Sequence, residues 1–457
     1  MSRIRWAHPT WALHVLVVGL ALHNFVMAEL WRAGVRGGWL TLLAAWKEVL
    51  LLVALVLVVR ERRRLPFGGV AADWLALAFG AFVLVYAVLP QGWLGGGATH
   101  RGVLYGVRHD LVPVAAYFLG RGLAMTRGEL RRLGATILGT AAFVAAFGLV
   151  DVYAVPLSWW RHSGARGWFQ HQLGFAYAGL SGLPQNFVYN LGNGEVFRRL
   201  ISTFLSPLAT SYLLVVALLV AAAWWRVDRP RGGRLWLWAG VVLLLFAALL
   251  WTHSRSSYLA LALGLVAFAW CVRADGPRVW GSVAGAAVAV LVVGALFVKA
   301  YPHIGPRTSF TPSERHVQEQ LAKTGGSAVN GAEDASIRSH WRNLRAGVRT
   351  VVHHPQGFGV GNAGSTAART KVAILAGEST YTELGVETGL LGALVFVAWS
   401  LVLLAASFRA VAWVGASLLA VLALAVQTDV IGVPWLAYVL WALAGTTVLP
   451  RLAGPEL

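Results

Sequence analysis

Charge and cysteine are both scarce in this chain of 457 residues. Charged residues make up 12% of it and hydrophobic residues 58%, a balance that excludes a soluble multi-domain protein. Apolar runs of about 20 residues recur along the chain, and that length crosses a hydrocarbon core. The one cysteine, Cys271, excludes an intramolecular disulfide. We predict an all-α fold, a polytopic transmembrane helical bundle.

Twelve apolar segments of the sequence have the length and composition of spans. They lie at about 11–30, 39–59, 71–90, 103–120, 134–155, 202–225, 235–251, 256–272, 279–299, 380–405, 410–430 and 434–450. An even number of spans puts both termini on one side. Basic segments at 60–64, 121–132 and 226–234 fall on that side, which the positive-inside rule makes the cytoplasm.

This layout divides the chain into three parts. Residues 1–299 hold spans one to nine with an extracytoplasmic loop at 156–200, residues 300–379 form a large extracytoplasmic loop, and residues 380–457 hold the last three spans. The net charge of +19 does not predict nucleic acid here, because cytoplasmic loops of membrane proteins collect Lys and Arg. The two outer loops are nevertheless rich in arginine. That excess predicts either an anionic partner outside or contact with lipid head groups.

Ionisable residues recur at one depth, in the outer half of the predicted membrane or at its rim. They are Lys47, Glu48, Arg108, His109, Asp110, Asp151, Arg255 and Asp429. Such groups are costly in hydrocarbon and face a bundle interior or a wet cavity. Pairwise neutralisation, for instance of Glu48 by Arg108, would explain single residues. The shared depth of the set predicts an outward-facing polar cavity.

Residues 336–352 have the pattern of an amphipathic helix. Arg338, Arg342, Arg345 and Arg349 form one stripe, and Ile337, Trp341, Leu344 and Val348 form the adjacent one. Such a helix lies on a membrane with its guanidinium groups at phosphate depth. Arginine suits phosphate because its planar fork donates two parallel bonds. Non-specific grip of anionic lipid is the alternative.

Two further features lie next to predicted span ends. Arg255 occupies a short outer turn with serine and threonine donors around it, which fits a phosphate group, or an arginine that only snorkels. Glu378 opens the tenth span and follows the Gly-rich segment HHPQGFGVGNAG (353–364). A carboxylate there either complements the helix dipole or acts as a general base with its pKa raised towards neutrality. The Gly-rich segment lacks a Walker Gly-Lys-Ser/Thr and is more often a turn.

With these residues in place, the chain resembles the bacterial O-antigen ligase and O-antigen polymerase superfamily, the WaaL and Wzy group of C-type glycosyltransferases. The similarity is sharpest at RRLISTFLSPLATSYLL (198–214), THSRSSYLALALG (252–264), SIRSHWRNL…HHPQGFGVGNAG (336–364) and ESTYTELGVETGLLG (378–392). The resemblance implies transfer of a glycan from a polyprenyl diphosphate carrier to an acceptor hydroxyl, on the outer face of the bacterial inner membrane. It implies neither a nucleotide sugar nor a metal, and we expect no cofactor.

The resemblance also implies roles for individual residues. Arg255 and Arg338 match the arginines that grip the diphosphate, and Glu378 stands where the ligases have a catalytic histidine, usually followed by asparagine. This departure favours a polymerase, because carboxylates serve polymerase-like members. We expect catalytic roles for Glu378, Arg255 and Arg338. The predicted substrate-binding residues are Arg342, Arg345, Lys47, Arg108, His354 and Tyr381.

We therefore expect an inverting, metal-independent glycosyltransferase of the O-antigen polymerase type. Its expected partners are a polyprenyl (undecaprenyl) diphosphate-linked oligosaccharide, a glycan acceptor and membrane lipids, with other polysaccharide-assembly proteins as a further candidate and no nucleic acid. Two alternatives stay open. One is a ligase with lipid A core, protein or another surface polymer as acceptor. The other is a transporter of a lipid-linked glycan or an anionic solute.

Overall fold

The computed structural model describes residues 9–177, 179–190, 195–323 and 333–448, most of them helical. In chain order the α-helices are α1 (Trp11–Arg32), α2 (Gly37–Ala44), α3 (Trp46–Arg62), α4 (Ala71–Val88), α5 (Gln91–Leu94), α6 (His100–Leu123), α7 (Arg127–Ala154), α8 (Leu157–His162), α9 (Pro207–Asp228), α10 (Gly233–Trp251), α11 (Arg255–Cys271), α12 (Pro277–Ile304), α13 (Pro312–Lys323), α14 (Glu333–His353), α15 (Gly364–Thr370), α16 (Thr380–Ala410), α17 (Ala412–Leu424) and α18 (Trp441–Thr447). Short 3-10 or π turns lie at Gly167–Gln172, Gln185–Phe187, Ser202–Phe204, Arg273–Asp275 and Leu436–Leu440. Three short strands complete the described residues: β1 (Val188–Asn190), β2 (Val196–Arg198) and β3 (Arg307–Thr308).

Eight helical segments of the described chain are long and apolar enough to cross a membrane. They are α1, α2 joined to α3, α4, α7, α9, α10, α12 and α16. This is the composition of a helical membrane protein. The other predicted spans coincide with α6, which carries several charged side chains, and with three shorter apolar helices. The number of twelve spans therefore stays a prediction, while the helical bundle is observed.

Helix α9 forms the centre of the bundle. Buried residues make up 78% of its most apolar stretch, because α7, α10, α11 and α17 pack around it. The sequence starts this helix with Ser206, whose hydroxyl accepts from the backbone N–H of Ala209, and with Pro207 in the first turn. Both are typical helix-start features. The loop between β2 and α9 is thereby fixed at one end of the bundle.

Helix α16 is kinked at Gly389, which has a φ of 71° that residues with a side chain rarely adopt. The kink frees backbone groups for the Gly-rich segment. Phe358 N–H donates to Val386 O at 2.6 Å, and Leu390 N–H donates to Pro355 O at 2.8 Å. In addition, Gly361 N–H donates to the buried carboxylate of Glu387 at 2.9 Å. The Gly-rich segment is thus a turn that docks on α16.

The two long loops are bound to each other at one end of the bundle, and we call residues 156–200 and 305–379 together the loop cap. Strand β2 pairs antiparallel with both β1 and β3, which joins the first loop to the second. Arg161 and Glu314 form a two-pronged ion pair at 2.9 and 2.7 Å. Ser181 and the backbone N–H of Thr311 also donate to this carboxylate. The strands were not predicted, since two or three residues are too few to show a period of two.

Glu314→Gln should loosen the loop cap. The side chains of Glu314 and Arg161 are 2% and 12% exposed, and removing one partner of a buried pair costs about 3 kcal/mol. We expect amide exchange in β2 and α13 to accelerate roughly 100-fold, measured by mass spectrometry. Glu319→Gln, an exposed carboxylate on the same helix, is the control. Equal exchange in both variants would contradict the assignment.

The same pair predicts a response to acid. Burial raises the pKa of Glu314, but the hydrogen bonds from Arg161, Ser181 and Thr311 outweigh it, so the pKa lies below the ordinary 4.5. The stability that the ionised carboxylate contributes is present above that value. It is lost as the pH falls through the lowered pKa.

Candidate active site

Glu378 is an exposed residue that lies just before α16, which begins at Thr380. Thr380 fixes this position, because its backbone N–H donates to Ala425 O at 3.0 Å and its hydroxyl donates to Thr428 O at 3.1 Å. Glu378 itself has a φ of 68°, in the left-handed region. For a residue with a side chain this costs roughly 1–3 kcal/mol and occurs where the surroundings impose it. The backbone strain thus coincides with the predicted catalytic carboxylate.

His340, on α14, is the direct partner of Glu378. Its Nδ1 lies 2.6 Å from Glu378 Oε2, and both side chains are about two-fifths exposed, at 44% and 42%. Asn343, one turn further along α14, also donates to the Glu378 carboxylate. The pair therefore stands at a surface that a substrate can reach.

The expected upward shift in the pKa of Glu378 is wrong. Burial does raise this pKa, but the hydrogen bond and charge of His340, together with Asn343, outweigh burial and bring it below the ordinary value. The hydrogen bond with Glu378 raises the pKa of His340 above its ordinary 6.5, against the opposing effect of burial. Protons added near neutral pH are therefore held by the imidazole, with the carboxylate ionised beside it.

Arg255 is the first residue of α11 and follows the turn 252–254. Arg199 holds this turn, because its Nε donates to Thr252 O at 2.9 Å and its NH2 donates to His253 O at 3.4 Å. Burial is the main cause that lowers the pKa of Arg199 to about 10, and the charge of Arg255 acts in the same direction. Two guanidinium groups therefore share one turn. The charge of Arg255 also lowers the pKa of His340, so the turn lies within electrostatic reach of the His340–Glu378 pair.

Helix α14 carries the predicted loop arginines and presents two faces. One face packs against α16, with Gly347 against Thr382 and Val351 against Gly385. The other leaves Trp341 60% exposed and Val348 48% exposed, with the Arg345 guanidinium 5.6 Å from the Trp341 ring. Arg342 and Arg345 are exposed on the helix that supplies His340. Arg338 lies on this helix too, but its side chain is outside the described part of the structure.

Lys47 and Arg108 line a separate cavity of about 530 Å³, to which Glu48, His109, Arg369 and Asp429 also contribute. The suggested pairing of Glu48 with Arg108 is observed, at 2.6 Å. Most of the ionisable set predicted from shared depth is thus gathered around one cavity. Asp151 is elsewhere, in a buried pair with Arg198. Thr428 connects the cavity to the surface pair, because it precedes Asp429 and accepts the bond from Thr380.

His354 and Tyr381 contribute to neither place. The ring of His354 stacks on Phe358 at 3.9 Å, and its Nε2 lies 3.0 Å from Leu94 O. Tyr381 donates to Leu422 O at 2.9 Å and so faces α17. Both side chains pack the elements that carry the pair. Within the described residues, no group of three or more His, Cys, Asp or Glu side chains is arranged to hold a metal ion.

Three residues of this region were not predicted as site residues from the sequence: His340, Arg199 and Arg369. His340 is 38 positions from Glu378, so nothing in the sequence indicates their contact. Arg199 and Arg369 are two of many arginines in the predicted outer loops, and the sequence does not distinguish them from the others. The signal that could have found His340 is its position on α14, since it shares the α16-facing side with Asn343 and Gly347 at intervals of three and four.

Residues 239–397 match the family model Wzy_C, which is described as O-antigen ligase. The chain is similar to this family over that segment, which is about a third of its 457 residues. This confirms the predicted resemblance to the O-antigen ligase and polymerase superfamily. Arg255, His340 and Glu378 all lie inside the matched segment, whereas Lys47 and Arg108 lie outside it. No curated protein matches the chain.

Proposed function

We propose that the protein is an inverting glycosyltransferase of the O-antigen polymerase type. It takes a glycan from a polyprenyl diphosphate carrier and transfers it to an acceptor sugar hydroxyl, which extends a surface polysaccharide. The observation that carries this proposal is the joint position of Arg255, His340 and Glu378 within the segment similar to the O-antigen ligase family. A cationic turn next to a proton-accepting pair supplies what this transfer needs: neutralisation of the leaving group and removal of one proton.

The arginines bind the leaving group. Arg255 and Arg338, helped by Arg342 or Arg345, hold the diphosphate of the carrier. The acceptor oxygen attacks the anomeric carbon, and the bond from that carbon to the diphosphate oxygen breaks with its electron pair on the leaving polyprenyl diphosphate. Guanidinium groups that are already in place stabilise this developing charge without reorganisation. The exposed Trp341 and Val348 on α14 support a position of this helix at the membrane surface.

The His340–Glu378 pair accepts the proton as a unit. When the imidazole is neutral and the carboxylate ionised, one added proton gives an imidazolium–carboxylate ion pair, which the raised pKa of His340 favours. Glu378 contacts the acceptor hydroxyl, and His340 sets how strongly the pair holds the proton. A base whose pKa lies near the working pH is the most effective kind. The pair thereby supplies a base whose pKa is closer to neutral pH than that of a carboxylate alone.

This mechanism predicts how the rate depends on pH. Below the raised pKa of His340 the pair is already protonated, so the initial transfer rate should rise with pH through that value and then level off. Measured from about pH 5.5 to 9, His340→Gln should abolish this rise and lower the plateau by roughly 10²-fold. His316→Gln, a histidine elsewhere in the loop cap, should leave the profile unchanged. A flat wild-type profile across neutrality would assign the base role to Glu378 alone.

Orientation follows from the distribution of charge. The basic segments 60–64 and 226–234 lie at the C-terminal ends of α3 and α9, and we place those ends in the cytoplasm with both termini. The loop cap and the active site then face the extracytoplasmic side of the inner membrane, with about twelve spans between the two faces. Lipid-linked glycans for surface polymers would reach the site from the outer leaflet.

One alternative has an observation in its favour, because the matched family is described as O-antigen ligase. A ligase would pass the glycan to lipid A core, a protein or another surface acceptor. The deciding experiment incubates purified protein with lipid-linked oligosaccharide and no other acceptor. A ladder of repeat units supports the polymerase. No extension without an added acceptor, and a single capped product with one, would replace it by the ligase.

A further inference from the structure

The cavity beside the active site has the lining of a sugar-binding site. Its volume of about 530 Å³ falls within the range of small-molecule pockets, roughly 300–1,000 Å³. A pyranose ring has an apolar face and a rim of hydroxyl groups. Aromatic rings can pack against the face, and amide groups can exchange hydrogen bonds with the hydroxyls. The aromatic members include Tyr105, Phe169, Phe175 and Tyr177. Among the amides, Asn186 has a buried Oδ1 without a hydrogen-bond partner, whereas Asn24 and Gln172 are already hydrogen-bonded within the protein.

One wall of the cavity is cationic. Lys47, Arg108 and Arg369 lie along it, and Glu48 contacts two of them, Arg108 at 2.6 Å and Lys47 at 3.6 Å. Asp429, the second carboxylate of the lining, is engaged by His109 at 2.9 Å. The three cations of the lining thus exceed its two carboxylates, Glu48 and Asp429, by one charge, and His109 contacts both Asp429 and Asp110. A ligand that brings a negative charge to this wall would relieve the imbalance.

Arg369 is held flat and oriented within this wall. Its guanidinium lies 4.3 Å from the Tyr105 ring, and its Nε donates to Leu173 O at 2.9 Å. Burial is the main cause that lowers its pKa to about 10, Tyr105 opposes this effect, and the charges of Arg108 and Arg101 add to it. Like charges are therefore gathered here against their mutual repulsion, which is the arrangement of an anion site.

At the same wall, two hydrogen-bond donors face each other: the ammonium of Lys47 and a ring nitrogen of His23. Trp46 Nε1, which can only donate, lies 3.1 Å from His23 Nδ1, so the proton of the neutral imidazole is on Nε2. That nitrogen is 3.4 Å from the ammonium of Lys47, which can only donate and already donates to Ala44 O at 2.6 Å. Both side chains are buried, at 7% and 2% exposed. An oxygen anion between them would accept from both.

We propose that this cavity holds an acidic sugar of the glycan substrate, with its carboxylate bound by Lys47, His23 and Arg369. The inference rests on the proposed function and adds the substrate class: a glycan that contains a uronic acid. The carrier diphosphate shares the anionic chemistry, but it has its own cationic turn at Arg255. The aromatic and amide lining selects the sugar over the diphosphate at this place.

A binding experiment on the full chain in lipid nanodiscs tests this. Cellobiuronic acid and cellobiose differ by one carboxylate, and polyprenyl diphosphate without sugar is the third probe. We expect cellobiuronic acid to bind at least tenfold more tightly than cellobiose. Lys47→Met and Arg369→Gln should each weaken it roughly 10–100-fold, as loss of a charge-assisted hydrogen bond does, without changing cellobiose binding. Arg231→Gln, an exposed arginine at the opposite bundle end, is the control.

Equal affinity for the two disaccharides, or binding of neither, would overturn the inference. So would a Lys47→Met variant that loses polyprenyl diphosphate binding instead, since that would make the cavity the diphosphate site. Thermal unfolding of each variant separates lost binding from lost folding. Because no turnover is involved, the result is independent of the catalytic proposal. A protein that binds the uronate but releases no polyprenyl diphosphate from a donor would refute the proposed function alone.

Discussion

Glu378→Gln should lower the rate of glycan transfer by roughly 10²–10⁴, the contribution of a positioned general base. Glutamine keeps the size of the side chain but cannot accept a proton from the acceptor hydroxyl. It also removes the carboxylate that raises the pKa of His340, so the remaining imidazole becomes a weaker base. The measurement is the length and amount of polysaccharide made by cells or by the purified protein.

Two comparisons make this result specific. Glu319→Gln removes a carboxylate from the exposed part of the loop cap and should leave the rate unchanged. Glu378→Asp should restore part of the activity, because it keeps a carboxylate but shortens its reach to His340. Near-normal product length from Glu378→Gln would remove Glu378 from the base role.

Arg255→Gln should reduce the rate by roughly 10²–10³, the loss measured when one preorganised donor to a developing oxyanion is removed. Arg255→Lys should recover only part of it, because an ammonium cannot form the two parallel bonds that a planar guanidinium makes with phosphate. The measurement is the initial rate at saturating lipid-linked donor, together with the affinity for polyprenyl diphosphate.

Arg199 allows the catalytic effect of an arginine at this turn to be distinguished from a structural one. Arg199 binds the carbonyl oxygens of Thr252 and His253, so Arg199→Gln should lower the unfolding temperature as well as the rate. Arg255→Gln should lower the unfolding temperature less than Arg199→Gln does, because the Arg255 side chain is half-buried and does not hold these two carbonyl oxygens. Arg315→Gln, an exposed loop-cap arginine, controls for general loss of charge. Unchanged diphosphate affinity in Arg255→Gln would contradict its assigned role.

Much of the scaffold could be predicted from the sequence, since long apolar runs and helical stripes are local signals. Helix α14 spans Glu333–His353 where an amphipathic helix was expected at 336–352. The polar cavity was predicted from shared membrane depth, and the pairing of Glu48 with Arg108 was the alternative considered for single residues; both are observed. The kink at Gly389 was not foreseen, because the run around it reads as one continuous apolar helix.

The protonation behaviour of the site residues could not be predicted from the sequence. A pKa shift depends on the partner that touches the group, and the contact between His340 and Glu378 exists only in the folded chain. Burial alone predicted the wrong sign for Glu378. The same reason hid Arg369, whose place on the cavity wall depends on Tyr105 from a distant helix.

The most direct test of the account is release of polyprenyl diphosphate by purified, reconstituted protein given a lipid-linked oligosaccharide. The account predicts one polyprenyl diphosphate released for each glycan transferred in the wild type, and release lowered by at least roughly 10²-fold in both Glu378→Gln and Arg255→Gln. Release that is equal in the wild type and in both variants would contradict it.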